Sequence, residues 1–403
     1  MPERPAKPKK TPTRIVGLDA HPDIFSVSIL TGRTNSEARI TRRFKDLPVD
    51  GLVEWATNHL SPTDLVVLEA GSNSFEIVAR LEEAGFRAIV LESQQVGKTA
   101  EAYLDNDLIA SERIARAYLT GISKAVWVAD ALTRELREIL HLYLGAKRDE
   151  TRAVNELRGL LNQYHVRPGK RNVRNEKTRT WVLGKREWTA RQLLVINDLF
   201  DEVIHATQRA ERWHQRICQE VVSNPSMLAC LRVVGIGVIN AFAIVAVVGD
   251  IRRFSSPQKL VAYLGLNPGL KQSGKGKRIK IGVGRRGRKE MRTLLIQAAQ
   301  CVMRAKNGGH LRDWGQGLFV RKGNRNTAVA AVARRLAMQL WHLLMGHGET
   351  RSEQEKPLLT KLGKICRSLG SGLLGQLALP EKAAAAAREL FQQINQQSLS
   401  QTA

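Results

Sequence analysis

Four short apolar segments in the first hundred residues each have the length and composition of a buried β-strand. Two of them lie within residues 14–30 (RIVGLDAHPDIFSVSIL), on either side of a turn at Pro22 and Asp23, which is a hairpin pattern. The other two are residues 64–70 (DLVVLEA) and 88–92 (AIVLE), separated by a helical pattern. Strands that alternate with helices predict a sheet with helices packed on it, so the amino-terminal part of the chain is of the α/β class.

Two acidic residues lie where these strands end. Asp19 follows the apolar run 15–18, and Glu69 follows the run 65–68. A carboxylate in or beside a buried strand costs free energy unless it is paired or binds a metal ion. A third acid, Asp107, precedes a helical pattern, where the simplest alternative is an acid favoured by the helix dipole. Carboxylates from two strands and a helix would together suit one or two Mg²⁺ ions at a phosphodiester.

The charge balance narrows the class of partner. Lys and Arg number 63 against 38 Asp and Glu, so the formal net charge is +25. A surplus of this size favours a polyanion, either nucleic acid or an anionic membrane surface. No uninterrupted apolar run is long enough to span a bilayer, and no apolar signal segment follows the basic, proline-rich residues 1–13. We therefore expect a cytoplasmic protein with a disordered basic arm, a nucleic-acid partner and no membrane partner.

The four cysteines, at positions 218, 230, 301 and 366, lie far apart and form no Cys-x-x-Cys pair. This spacing indicates neither a zinc module nor a disulfide framework. We expect all four thiols to be buried and reduced.

The middle of the chain has the pattern of two long helices. Apolar residues repeat at helical spacing over residues 133–164 and 189–222, with one apolar stripe on each helix. Two such stripes are best buried against each other, as an antiparallel hairpin or coiled coil. The connecting segment is strongly basic and contains Trp181 and Trp188, which favours nucleic-acid contacts over the alternative of a solvated tip. Its candidate binding residues are Lys170, Arg171, Arg174 and Arg179.

A glycine-rich basic loop lies further along the chain. Residues 271–292 include ten basic residues and one acid, with a glycine density that excludes a stable helix and allows close approach to a phosphate backbone. Ser273 lies within this loop. A serine becomes a nucleophile when its proton is removed and the developing charge is stabilised, and the surrounding cations supply the second condition. The alternative is an ordinary turn residue, since no histidine base is close in the sequence. Further candidate nucleic-acid-binding residues are Lys275, Lys277, Arg278, Lys280, Arg285 and Arg286.

Together these motifs resemble a known family. GLDAH around Asp19, VLEAGSNSF around Glu69 and NDLIASERIARAYLTG are similar, in order and spacing, to the amino-terminal domain of the DEDD transposases of bacterial insertion sequences. Residues 233–278 resemble the carboxy-terminal domain of the same family, whose Gln-Ser-Gly motif falls on residues 272–274. The similarity covers about residues 14–345, and two separate domains agree in the right order.

The resemblance implies a domain layout. Residues 14–125 would form an α/β ribonuclease H-like (RuvC-like) domain, and residues 126–225 a helical hairpin or coiled coil for dimerisation and nucleic-acid binding. Residues 226–346 would form a mainly α-helical transposase domain that carries the serine loop. Residues 1–13 and 347–403 would be the basic arm and a helical tail.

The resemblance also implies an activity. It is that of a DNA recombinase guided by a bridge RNA that pairs with target and donor DNA, acting as a dimer or tetramer. In this mechanism Ser273 attacks the scissile phosphate and forms a phosphoserine. Mg²⁺ bound by Asp19, Glu69 and Asp107 would neutralise the developing charge.

One position departs from the family pattern. The family has Asp-x-x-Asp where this chain has Asp107 followed by Ala110, and neither Asp105 nor Glu112 is in register to replace the second acid. The departure leaves two alternatives open beside the recombinase. One is a catalytically impaired relative that only binds RNA or DNA, and the other is a Mg²⁺-dependent structure-specific nuclease. In each case we expect the protein at the nucleoid of a bacterium.

Overall fold

The computed structural model describes residues 14–96, 107–271, 279–284, 287–305, 308–347 and 355–400. The arm expected at residues 1–13 lies outside these ranges. The chain separates into two compact units, of which the first ends at Asp130 and the second begins at Ala131. None of the helices in the described ranges combines the length and apolar character needed to cross a membrane.

The first unit is built on a mixed sheet. Its elements are β1 (Arg14–Ala20), β2 (Ile24–Thr31), β3 (Arg39–Pro48), α1 (Leu52–His59), β4 (Leu65–Glu69), α2 (Ser74–Glu83), β5 (Arg87–Leu91), α3 (Ser93–Val96), α4 (Asp107–Leu119) and β6 (Ala125–Val126). The strand order is β3-β2-β1-β4-β5-β6. The predicted hairpin is present, because β1 and β2 pair antiparallel, whereas β1, β4 and β5 run parallel.

The two faces of this sheet carry separate cores, because side chains alternate along each strand. Leu18 of β1 is buried with residues of α1 and α2 on one face. Ile15 is buried on the other face, in a core that includes Ile114 of α4. Gly17 and Asp19 are two and four residues from Ile15, so both face the side on which α4 packs.

Helix α4 approaches β1 closely because residue 17 is a glycine. A Cβ atom at this position would lie 1.9 Å from the backbone oxygen of Ser111 and 2.9 Å from the Cβ atom of Ala115. Ser111 also shares a hydrogen bond of 2.8 Å between its hydroxyl and that of Ser28, which is paired with Gly17 across β1 and β2. These contacts hold the first turns of α4 beside the end of β1.

The second unit is mainly helical in its described ranges. Its helices are α5 (Ala131–Gln163), α6 (Glu176–Leu183), α7 (Ala190–Ser223), α8 (Pro225–Cys230), α9 (Val238–Val248), α10 (Pro257–Tyr263), α11 (Lys289–Arg304), α12 (Gly309–Lys322), α13 (Arg325–Leu344), α14 (Glu355–Gln376) and α15 (Ala383–Ser400). Two strands, β7 (Pro268–Lys271) and β8 (Ile279–Val283), pair antiparallel. An amino-terminal α/β sheet with a mostly helical remainder agrees with the predicted class.

Helices α5 and α7 occupy the two segments in which long helices were predicted, and they pack against each other. Leu157 and Leu161 of α5 share a buried core with Phe200 and Val203 of α7. Thr189 caps the start of α7 in a capping box. Its hydroxyl accepts a hydrogen bond from the backbone N–H of Gln192, and the side-chain oxygen of Gln192 accepts one from the backbone N–H of Thr189.

The tail helices and α11 belong to a second helical core. Leu358 and Leu362 of α14 are buried with residues of α9 and α13. The expectation of four buried thiols is wrong for Cys301, which is exposed because it lies off the buried stripe of α11. Burial raises the pKa of the Cys218 and Cys230 thiols to about 12, so these two remain protonated at neutral pH.

Candidate active site

The ends of two parallel strands bring two of the predicted acids to one edge of the first sheet. Asp19 is the next-to-last residue of β1, and Glu69 is the last residue of β4. Leu18 is paired with Leu68 in the register of these strands, so the two acids continue that register and lie on the same face of the sheet. This is the face on which α4 packs.

Helix α4 and the turn after β1 complete a group of three potential ligands. The Nε2 atom of His21 lies 3.4 Å from Oδ1 of Asp107 and 3.7 Å from Oδ2 of Asp19. The donor atoms of these three residues all lie within 4.8 Å of one another. Among the described residues, Glu69 is not part of this group. The structure therefore brings Asp19 and Asp107 together with a histidine.

His21 was not singled out by sequence analysis. The signal that could have found it is its place in GLDAH, two residues after Asp19 and just beyond the end of β1. A strand end places successive side chains on opposite faces, so a residue two positions further returns to the face of the first. That parity predicts a side chain on the same face as Asp19.

The donor set of this group suits a divalent cation. Two carboxylates can supply oxygen ligands, and an imidazole can supply a nitrogen ligand. The side chains of Asp19 and Asp107 are 21% and 35% exposed, and that of His21 is 49% exposed. Water or a phosphate oxygen can therefore reach a cation held here, as a catalytic rather than a purely structural site requires.

Position 110 lies one helical turn after Asp107 on α4 and carries alanine. Glu112 does not replace the missing acid, because its carboxylate accepts hydrogen bonds from Arg43 at 2.6 Å and from Arg116 at 2.7 Å. Asp105 lies outside the described residues. Within α4 itself, the sequence offers no further carboxylate for this position.

Two of the four predicted cations at the hairpin tip are held in ion pairs. Arg174 and Lys147 both donate to the carboxylate of Glu150, whose side chain is 5% exposed. Burial alone would raise the pKa of Glu150, but the hydrogen bonds and charges of Lys147 and Arg174 outweigh this effect and lower it. Arg179 donates to Oδ1 of Asp201 at 2.8 Å. Arg174 and Arg179 thus fasten the tip segment to the long helices.

The other two predicted tip cations, Lys170 and Arg171, are exposed. The guanidinium carbon of Arg171 lies 4.1 Å from the ring centroid of Trp181, and the Nζ atom of Lys185 lies 4.6 Å from the same centroid. Trp181 and Trp188 are partly buried against the hairpin core. The tryptophans therefore pack against the hairpin core, and the ring face of Trp181 contacts the cations of Arg171 and Lys185.

The predicted serine loop, residues 271–292, is interrupted by strand β8 (Ile279–Val283). Helix α11 begins at Lys289, so the expectation that no helix forms up to residue 292 is wrong for its last four residues. The loop residues Ser273, Lys275, Lys277 and Arg278 lie outside the described ranges, and so do Arg285 and Arg286. Lys280 lies on β8, paired with Leu270 of β7. The guanidinium group of Arg292 donates to the backbone oxygens of Gly265 and Gly284 at 3.3 and 2.9 Å. The base of the loop is thereby attached to the start of α11.

A cavity of about 1270 Å³ opens between α5, α9 and α11. Its lining includes the cations Lys147, Arg148 and Lys289 and the acids Glu138 and Glu290. Lys289 and Glu290 belong to the basic segment 271–292 singled out from sequence. Sequence analysis gave the other residues no role, because they come from separate helices and no local pattern joins them.

Comparisons with known proteins agree with this arrangement. Residues 16–166 match the family of DEDD transposases of the IS110 type, and residues 229–313 match the transposase IS116/IS110/IS902 family. The chain is 26% identical over 342 residues to a probable family 20 transposase of Pseudomonas aeruginosa, a match that covers 82% of this chain and 96% of that protein.

Two further relatives are transposases of named insertion sequences. The transposase for insertion sequence element IS1111A of Coxiella burnetii is 27% identical over 243 residues, which cover 59% of this chain and 66% of that protein. The transposase for insertion sequence element IS1328 of Yersinia enterocolitica is 22% identical over 336 residues, which cover 81% of this chain and 95% of that protein.

These matches cover both units of the chain. The mixed α/β sheet followed by helices fits a ribonuclease H-like transposase. Such an enzyme processes DNA. The chain therefore belongs to the DEDD-type transposase family of bacterial insertion sequences.

Proposed function

We propose that this transposase is a DNA recombinase guided by a bridge RNA, which cuts and rejoins DNA through a phosphoserine at Ser273 with the assistance of Mg²⁺. The proposal rests on the short distance between Asp19 and Asp107. Both lie at the edge of the first sheet at which β4 ends with Glu69. A group of carboxylates on a ribonuclease H-like sheet suits phosphodiester chemistry. The matches to both transposase families support DNA as the substrate.

Asp19, Glu69 and Asp107 are the residues that would hold the cation. When bound, a divalent cation neutralises charge that develops on a phosphodiester and lowers the pKa of an oxygen ligand. The chain contributes the positions of the carboxylates. The close contact of α4 with Gly17 sets the distance of Asp107 from β1.

Ser273 would act as the nucleophile. Its Oγ atom forms a bond to phosphorus while a P–O bond of the DNA backbone breaks. The released strand then ends in a hydroxyl, which takes up a proton equivalent to the one that the serine loses. The cations of the loop stabilise charge on the phosphoryl oxygens, and the attachment of Arg292 to Gly265 and Gly284 positions the loop base.

Target DNA, donor DNA and a guide RNA are the proposed partners. The net charge of +25 supports polyanionic ligands. Lys170 and Arg171 at the exposed hairpin tip are the strongest described candidates for phosphate contacts. The long helices α5 and α7 are proposed to mediate assembly into a dimer or tetramer, which would act on DNA in the bacterial cytoplasm, at the nucleoid.

Ala110 favours a second candidate function, a relative of the same scaffold that binds RNA and DNA and cleaves slowly. The site then has one negative charge fewer than the family pattern. A Mg²⁺-dependent structure-specific nuclease is the remaining alternative. Only the recombinase forms a covalent link between serine and DNA.

The experiment that tests the proposal is a search for this covalent adduct. The full chain is incubated with RNA that copurifies with it and with DNA that this RNA specifies, and adducts are resolved on denaturing gels. Ser273→Ala should abolish the adduct and leave nucleic-acid affinity nearly unchanged, because one hydroxyl adds little beside ten cations of the loop region. Ser255→Ala, at an exposed serine of the same unit, is the matched control. An adduct that persists in Ser273→Ala would remove this residue as nucleophile.

A further inference from the structure

We infer that His21 is a ligand of the divalent cation, so that this chain binds its metal through a nitrogen atom as well as through carboxylates. The inference rests on the proposed function, because it concerns the same cation. It adds a residue to which the family pattern of four acids gives no role. It also accounts for a site that lacks an acid at Ala110.

The distances in the group favour a shared cation over direct hydrogen bonds. The Nε2 atom of His21 is 3.4 Å from an oxygen of Asp107 and 3.7 Å from an oxygen of Asp19. Both separations exceed the usual hydrogen-bond range of about 2.7–3.2 Å. Two ligand bonds of about 2.1 Å place their donor atoms about 3.0 Å apart at a right angle and about 3.6 Å apart at 120°. The two separations from His21 are thus of the size expected between ligands of one ion, and all three donor atoms lie within 4.8 Å of one another.

The backbone of His21 is anchored on both sides. Its N–H group donates to the oxygen of Ile24 at 2.9 Å within the hairpin turn. Its carbonyl oxygen accepts a hydrogen bond of 2.8 Å from the side-chain amide of Asn73, the residue that precedes α2. These bonds fix the backbone from which the ring extends toward the acids, so that only the side-chain torsions of His21 are left to be ordered when the ring binds a cation.

The nitrogen of His21 also supplies a ligand in place of the carboxylate that is absent at position 110. In the family pattern, position 110 would supply a fourth carboxylate on the same face of α4 as Asp107. The imidazole of His21 supplies a coordinating atom but no negative charge. The site therefore keeps its ligand number while its total charge becomes less negative. Imidazole nitrogen favours transition metals over Mg²⁺, so the preference of the site should move toward Mn²⁺ and Co²⁺.

A role for His21 as a counter-charge, rather than as a ligand, predicts the opposite change in metal affinity. If His21 were only a cation that balances Asp19 and Asp107, it would compete with the metal, and its removal would strengthen metal binding. If His21 is a ligand, its removal weakens metal binding. The sign of the change in metal affinity therefore decides between the two roles, without any measurement of DNA cleavage.

The experiment measures the binding of Mn²⁺ and Mg²⁺ to the full chain by titration calorimetry, and the nitrogen coupling of bound Mn²⁺ by pulsed electron paramagnetic resonance. His21→Ala should weaken Mn²⁺ binding by about tenfold or more, by comparison with the 10–100-fold cost of losing even an outer ligand contact. It should weaken Mg²⁺ binding less and abolish the nitrogen coupling. His310→Ala, at an exposed histidine on α12, is the matched control and should change nothing.

A double variant tests whether an acid at position 110 can restore the metal binding that is lost with His21. Ala110→Asp in the His21→Ala background should restore Mg²⁺ binding without restoring the nitrogen coupling. Unchanged or stronger Mn²⁺ binding in His21→Ala, or wild-type protein whose bound Mn²⁺ shows no nitrogen coupling, would overturn the inference. Asp19→Asn separates this failure from failure of the proposed function. If Asp19→Asn removes metal binding and His21→Ala does not, only the inference fails; if Asp19→Asn binds as wild type does, the cation site itself is wrong.

Discussion

The contact between Gly17 and α4 gives the most direct test of how the fold builds the site. In Gly17→Ala, the new Cβ atom would lie 1.9 Å from the backbone oxygen of Ser111. An ordinary contact between carbon and oxygen is about 3.3 Å, so α4 must retreat by at least about 1.4 Å. The obstacle is backbone, which no side-chain rotation can relieve. We expect the substitution to cost about 1–3 kcal/mol of stability, as overpacking of a core does.

The same displacement acts on the acids. Asp107 is the first residue of α4, and its carboxylate lies close to the carboxylate of Asp19 and the imidazole of His21 only while the helix stays against β1. A misplacement of about 1 Å in a catalytic group can reduce a rate about 100-fold. Gly17→Ala should therefore weaken Mn²⁺ binding and reduce DNA cleavage at temperatures at which the protein remains folded.

The assay combines urea denaturation, Mn²⁺ titration and adduct yield. Gly51→Ala is the matched control, because a Cβ atom there would meet only Pro48, at an ordinary 3.7 Å. Its stability should stay within about 0.5 kcal/mol of wild type. Wild-type stability together with wild-type metal affinity in Gly17→Ala would refute the argument that this glycine sets the position of α4.

The other expectations concern three separate features. Ala110→Asp should raise Mg²⁺ affinity and the cleavage rate, measured across Mg²⁺ and Mn²⁺ titrations; equal activity at low metal would show that position 110 is not a ligand. Replacing Lys170 and Arg171 together by Gln should lower the slope of log K against log salt for RNA or DNA by about 1.4–1.8 if each cation contacts a phosphate, whereas an unchanged slope would identify a solvated tip. Because the pKa of Glu150 is lowered in the folded protein, this residue stabilises the fold above its unfolded pKa, and that stability is lost as the pH falls through the folded value. Glu150→Gln should therefore be less stable at pH 7, by about 1–3 kcal/mol, and less sensitive to acid in denaturation scans. Arg174→Ala should also destabilise, since it leaves the buried carboxylate with one partner fewer, and a fully stable variant would contradict the structural role of this ion pair.

Local pattern determined much of the fold from sequence. The strands β1, β2, β4 and β5 and the helices α5 and α7 were predicted because each buries one continuous stripe or segment of apolar side chains. Strand β3 and helix α12 were not, whereas α14 lies in the segment 347–403 that was predicted as a helical tail. Strand β3 lies at the sheet edge with mostly exposed residues, so it has no apolar alternation to detect.

Helix α12 shows how packing can override a weak local preference. It contains three glycines, which disfavour a helix in isolation. A Cβ atom on Gly315 would lie 2.4 Å from the sulfur of Met303 and 2.7 Å from a methyl group of Val332. The glycine that weakens the helix locally thus allows it to pack closely against two neighbouring helices.

The candidate site likewise has features that the sequence predicts and features that only the tertiary structure shows. Asp19, Glu69 and Asp107 could be selected from sequence, because an acid at the end of an apolar strand or the start of a helix is a local signal. That Asp107 meets His21 depends on the distance between α4 and β1, which Gly17 sets through a contact with Ser111. That Glu69 is outside the close group is also visible only in the structure. The ion pairs of Arg174 and Arg179 likewise depend on residues 24 and 22 positions away in the chain. Local composition determines which side chains can act, but distances between segments far apart in the chain decide which of them act together.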